Sequence, residues 1–143
     1  MEVDLLSVET STETKDCVSA IVQKLLDRKA EDIVVLDISE VSLIADCFIV
    51  CTCRSNPHMR TVDEALDEQA AELGVAWHKK EGTAEAGWIL HDFSSVIVHL
   101  FLSEQRRYYD LERLWRDARR IPLESFVNEA DSSPGGKRKE VAE

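Results

Sequence analysis

GWILHDFSSVIVHLFLSEQRRYYDLERLW, residues Gly87 to Trp115, holds two strands and the start of a helix in one stretch. Trp88–Asp92 and Val96–Leu102 are runs rich in aromatic and β-branched residues, separated only by the tight FSS connection. So short a link predicts an antiparallel hairpin. From about Glu104 to Arg119 the spacing turns helical and places Leu111, Leu114, Trp115 and Ala118 on one face. Trp88, Arg106, Arg107, Tyr108, Tyr109, Arg113 and Trp115 are of the types that dominate protein interfaces, and no nucleophile stands beside a base. The stretch reads as a surface built to be bound.

Upstream, Val18, Ile21, Val22, Leu25 and Leu26 repeat at helical spacing, predicting a helix from about Glu13 to Lys29. DIVVLDIS and a run from about Cys47 to Thr52 are nearly continuous and apolar, as in strands buried on both faces. A second helix starts at RSNPHMR, with Ser55 as N-cap and Pro57 in the first turn, and stops at Gly74. Its buried stripe is Val62, Ala65, Leu66, Gln69 and Leu73; Asp63, Glu64, Asp67, Glu68 and Glu72 form the solvated side. A short strand at about Val75–His78 and a loop, KKEGTAEA, lead into the hairpin. The order α-β-β-α-β-β-β-α gives an α/β (α+β) class: one domain over residues 13–120, a mixed β-sheet with helices packed on it. Residues 1–12 are expected to be a flexible start, and 127–143, almost without apolar side chains, a disordered polar tail.

The chain has 143 residues and a formal net charge of -11, with 28 acidic against 17 basic side chains. Binding along a nucleic-acid backbone needs a basic face, so DNA is excluded as a partner, RNA contact is at most peripheral, and a basic protein suits the charge best. No apolar run approaches the roughly 20 residues of a membrane span. The start, MEVDLLSVETSTETK, has no basic or apolar leader pattern, so a cytoplasmic location is expected. The four cysteines are expected to be reduced thiols.

Three of these segments, SLIADCFIVCTCRSNPHMR, GWILHDFSSVIVHLF and EQRRYYDLERLW, occur in the order seen in the Iojap family of ribosomal silencing factors, which the chain resembles over about residues 15 to 118. The resemblance implies a fold similar to that of nucleotidyltransferases, no enzymatic activity and no cofactor. It also implies binding to the large ribosomal subunit through its protein L-fourteen, which blocks association with the small subunit and represses translation; a role in large-subunit biogenesis and a homodimer of the free protein stay open. The chain departs from the family pattern twice. Thr52, Cys53, Arg54, Ser55 stand where Thr-Gly-x-Ser is usual, and Asp92, Phe93, Ser94 where Asp-Tyr-Gly is frequent, so two turns lack a glycine.

Other chemistries are weaker. Nucleotidyl transfer uses a Gly-Ser turn and paired carboxylates to hold metal ions, whereas Asp37 and Asp92 stand alone in their strands. Cys47, Cys51 and Cys53 share strand parity and His58 is near, yet no Cys-x-x-Cys element accompanies them; buried thiols are expected, and no metal. His99, between Val98 and Leu100, reads as a hydrogen-bonded core or interface histidine. The expected partner surface is the exposed side of the hairpin and the start of the last helix, with Trp88, which spacing alone leaves as either a core or a surface tryptophan and the resemblance assigns to the partner, as an exposed anchor and Asp92, His99, Glu104, Arg106 and Tyr109 around it. Arg54, Ser55 and His58 are secondary candidates.

Overall fold

The computed structural model describes residues 2–75 and 78–126. Its elements are α1 (Glu2–Asp27), β1 (Glu31–Asp37), β2 (Cys47–Cys53), α2 (Asn56–Leu73), β3 (Lys79–Thr83), β4 (Trp88–Asp92), β5 (Val96–Leu102), α3 (Ser103–Tyr109), α4 (Leu111–Leu114) and β6 (Arg119–Ile121). The strands form one sheet in the order β3-β4-β5-β2-β1-β6. β2 and β5 run parallel and all other neighbours antiparallel, including the β4–β5 hairpin, where Asp92 pairs with Ile97 and Trp88 with Phe101.

The apolar run of β2 suits its central place, since all seven of its residues are buried. Alternation sends Cys47, Ile49, Cys51 and Cys53 to one side and Phe48 to the other. On the cysteine side the sheet packs under α1, through Val18, Ile21, Val22 and Leu25, and α2, through Met59, Val62, Leu66 and Ala70. On the far side Val34, Leu36, Phe48 and Ile97 form a smaller cluster, against which Leu90, Trp115 and Ala118 pack. Ser55 caps α2 as expected, its hydroxyl accepting from the His58 N–H at 3.2 Å. Gly74 ends the helix at φ 69°, in the left-handed region.

Five expectations need correcting. α1 spans Glu2–Asp27, where the expected helix ran from about Glu13 to Lys29. Leu26 and Leu73 are each 37% exposed, since both lie in the last turn, where the packed stripe gives out. Val75 and His78 belong to no strand and 76–77 lie outside the described residues; the strand is β3, within the expected loop. All five β3 residues are exposed at the sheet's edge, so main-chain pairing with β4 makes the strand and no apolar alternation marks it. Gly82 permits that pairing: a β-carbon there would collide with the Trp88 carbonyl.

The expected helix over 104–119 is broken at Asp110, which takes φ 50° and accepts no further turn; the chain closes α3, starts α4 and ends in a sixth strand beside β1. Aspartate tolerates this left-handed backbone better than most residues. The break overturns the proposed buried stripe: Leu114 is 72% exposed, and Trp115 is only partly buried, on the far side of the sheet, its ring 5.2 Å from Phe48 in an edge contact. The polar tail expected over 127–143 lies outside the described residues.

Candidate functional site

Strand parity sends Trp88, Leu90 and Asp92 of β4, and Ile97, His99 and Phe101 of β5, to the face turned away from α1 and α2. On this face the Trp88 indole N–H donates to His99 Nδ1 at 3.1 Å, across the hairpin's diagonal. The indole ring lies 5.1 Å from Phe101 and 4.3 Å from Tyr109, the last residue of α3. His99 is buried, nearly parallel to Phe101 and edge-on to Phe48 at 5.0 Å. Because Nδ1 accepts, the ring proton sits on Nε2, which has no partner among the described residues. Burial pushes the His99 pKa down to about 4, so the ring is neutral at pH 7.

Trp88 is therefore half-buried, not an exposed anchor; its edge and Tyr109 show at the surface, and Tyr108, 81% exposed, projects beside them. Arg106 is a bracket. Its guanidinium donates to both carboxylate oxygens of Glu112 at 3.1 and 2.9 Å, to the Asp32 carbonyl at 2.7 Å and to Thr52 Oγ1 at 2.8 Å. Fixing α3 to the ends of β1 and β2 positions Tyr109 against Trp88 and holds the Glu112 carboxyl below its ordinary pKa through the arginine bond. Glu104 is exposed in the first turn of α3.

Other candidates fall elsewhere. Asp92 shares the face but sits at the opposite end of the hairpin, about 13 Å from Trp88 along the strand. Its carboxylate accepts the Ser94 N–H at 2.8 Å, and Ser94 holds φ 81°, so the turn keeps the backbone of the missing glycine. Cys53, the other departure, is an ordinary buried strand residue. Arg54 is exposed, 3.8 Å from Glu31. His58 lies on the helix side, with Nδ1 accepting from the Arg54 N–H at 2.9 Å and Nε2 donating to the Arg28 carbonyl at 2.7 Å; it locks the turn that Ser55 caps. The structure thus brings together Trp88, His99, Tyr109 and Arg106. Phe101, Phe48 and Trp115 complete the aromatic row, and the first was legible as the residue two along β5 from His99.

The chemical alternatives do not converge. β1 and β4 are three strand spacings apart, about 14 Å, so Asp37 and Asp92 cannot share an ion, and His99 Nδ1 is occupied. Cys47, Cys51 and Cys53 are buried free thiols. Burial, with lesser help from Asp37, pushes Cys47 up to about 12, and the hydrogen bond with Cys53 and burial raise Cys51 well above the usual range, so both stay protonated. No helix among the described residues is long and apolar enough to cross a membrane.

A mixed six-stranded sheet carries α1 and α2 on one face and an aromatic row flanked by α3 and α4 on the other, and sequence comparison places this small domain in the ribosome-silencing class. The sequence profile described as "Ribosomal silencing factor during starvation" matches residues 11–143, and the chain belongs to that family, RsfS. It is 40% identical to the ribosomal silencing factor RsfS of Bacillus subtilis over 103 residues, 72% of this chain and 87% of that protein. Similarity extends to the chloroplastic protein Iojap of Zea mays, at 32% identity over 66% of this chain and 41% of the plant protein. A crystal structure of a Chromobacterium violaceum protein superposes with a TM-score of 0.67 at 32% identity, covering 70% of this chain and 83% of that one. A structure from Bacillus halodurans gives a TM-score of 0.66 at 32% identity, over 75% and 97%.

Proposed function

We propose that this chain is a steric, non-catalytic silencing factor that binds the large ribosomal subunit through its protein L-fourteen and keeps the small subunit from joining. One observation carries the reading: Trp88, Tyr109 and exposed Tyr108 meet where α3 lies along the sheet face turned away from α1 and α2, held in place by His99 and Arg106. Rigid aromatic side chains of this kind anchor protein contacts. The net charge of -11 favours a basic ribosomal protein over bare RNA as the primary partner. Trp88 and Tyr109 make the apolar centre, Glu104 and Arg54 are peripheral charges, and Arg106, His99, Ser55 and His58 act by positioning; Asp92 reaches the partner only if the footprint spans the whole hairpin.

A footprint of about 800 Å² covers one bridge between subunits and touches no catalytic centre of the ribosome. Order of addition tests this in sucrose gradients. Added before the subunits mix, the protein suppresses whole ribosomes in proportion to the large subunits it occupies; added afterwards, it acts only as fast as subunits separate. Immediate, equal inhibition of preformed ribosomes overturns the steric reading, and tight binding to naked ribosomal RNA overturns the choice of partner.

A further inference from the structure

On the helix side of the sheet, away from the aromatic face, β4 delivers His91 under α2. The side chain is fully buried and both ring nitrogens are committed: Nε2–H donates to Asp63 Oδ1 at 2.7 Å, and Nδ1 accepts from His78 Nε2 at 2.9 Å. The two imidazoles lie nearly parallel at 18°, and Phe93 packs 4.9 Å from His78. One helical turn after Asp63, Asp67 directs Oδ1 to within 4.0 Å of His91 Nδ1, while its Oδ2 accepts from Lys80 at 3.0 Å. One donor atom each from Asp67, His78 and His91 lies within 4.8 Å of the others. The α2 carboxylates that spacing assigned to solvent thus close over a buried histidine.

We infer that Asp67, His78 and His91 form a binding site for one borderline divalent ion of the Zn2+ class, with Asp63 orienting His91 from behind. Two imidazoles and a carboxylate are the donor set such ions prefer, whereas Mg2+ and Ca2+ call for oxygen alone. An ion about 2.0–2.1 Å from each donor needs donors about 3.3 Å apart in tetrahedral geometry, so the histidines open by a few tenths of an ångström and Asp67 closes by somewhat more. The His78 proton moves from Nε2 to Nδ1, leaving a lone pair on each coordinating nitrogen. His91 already has the arrangement that metal-bound histidines adopt, its far N–H held by a carboxylate, which fixes the tautomer that frees Nδ1. Of the Asp67 oxygens Lys80 engages Oδ2, leaving Oδ1 free to turn to an ion; it also reaches both oxygens of Asp63 at 3.3 and 3.4 Å, and its single charge leaves the two carboxylates together with a net attraction for a divalent cation. The fourth position belongs to water. Bound there, the ion clasps α2 and the residue before β3 to β4 at the sheet's edge.

The test is calorimetric titration of the whole reduced protein with Zn2+ alone, with Mg2+ in parallel, together with the visible spectrum of the Co2+ form. One Zn2+ per chain and no Mg2+ heat are expected. His78→Ala, on a half-exposed side chain, is expected to weaken Zn2+ at least tenfold, and Asp63→Asn, which touches no ion, by about 10–100-fold. Co2+ is expected to give tetrahedral bands without the near-ultraviolet thiolate charge-transfer band, a readout that needs no variant. Absence of Zn2+ binding, or a thiolate band and binding that survives His78→Ala but vanishes on replacing Cys51 and Cys53, overturns the site.

Discussion

Trp88→Phe isolates the one polar contact that organises the aromatic face. Phenylalanine keeps much of the ring packing against Phe101 and Tyr109, but removes the N–H that His99 Nδ1 accepts at 3.1 Å. His99 Nε2 already lacks a partner among the described residues, so the variant leaves a buried ring with neither nitrogen satisfied. An orphaned buried acceptor costs about 1–3 kcal/mol, and the lost indole area adds under about 1 kcal/mol. The expected total, about 1–4 kcal/mol, appears as a lower urea midpoint at unchanged slope. A double-mutant cycle attributes it: in a His99→Leu background there is no acceptor to orphan, so Trp88→Phe then costs only the area term, and the coupling is about 1–3 kcal/mol. Additivity within about 0.5 kcal/mol refutes the claim that this hydrogen bond organises the face. Large-subunit binding by Trp88→Phe, measured by co-sedimentation, falls less than tenfold, because the aromatic surface survives.

Acid weakens the fold through His99: its folded pKa of about 4 lies below the ordinary 6.5, so the unfolded chain binds the extra proton as pH falls, and the stability present above 6.5 drains away on the way to 4. With only burial shifting this group, the loss between pH 7 and pH 5 is about 2 kcal/mol, read as the difference in urea midpoints between the protein and His99→Leu; parallel pH profiles for the two would sink the idea. Ser94→Gly relieves the left-handed backbone at φ 81° and raises stability by about 1 kcal/mol in the same titration, whereas no change means that the Asp92 bond already compensates the strain. Arg106→Lys keeps the charge but loses the fork to Glu112 and one of the two contacts that tie α3 to β1 and β2, so it costs about 2 kcal/mol and lowers subunit affinity by freeing Tyr109; wild-type behaviour in melts and co-sedimentation contradicts the bracket.

Elements that rest on local chemistry were legible in the sequence: the buried runs of β2 and β5, the FSS hairpin, the Ser55 cap and the Gly74 stop each need only neighbours in the chain. β3 was hidden because KKEGT carries no apolar face and owes its shape to β4. The break at Asp110 was hidden because an aspartate in a periodic stretch reads as helix, and only the pull of Arg106 on residues 32 and 52 shows why the chain turns. Trp88, His99 and Tyr109 were singled out by residue type, but their mutual contacts depend on the hairpin register and on that same break. Asp67, His78 and His91 come from three separate segments without motif spacing, so no local signal joins them.

The parallel union of β2 with β5 has a temporal consequence. Cys47 must wait for Val96, and Cys53 for Leu102, so the segment CFIVCTC emerges and lingers as an apolar, β-prone stretch until the late hairpin arrives. In that interval Cys51 and Cys53 are open to solvent, while in the finished sheet both are sealed and the Cys51 thiol is held protonated. Alkylation of these two thiols therefore works as a clock for the central strand: a pulse of reagent marks only chains whose β2 and β5 have yet to meet.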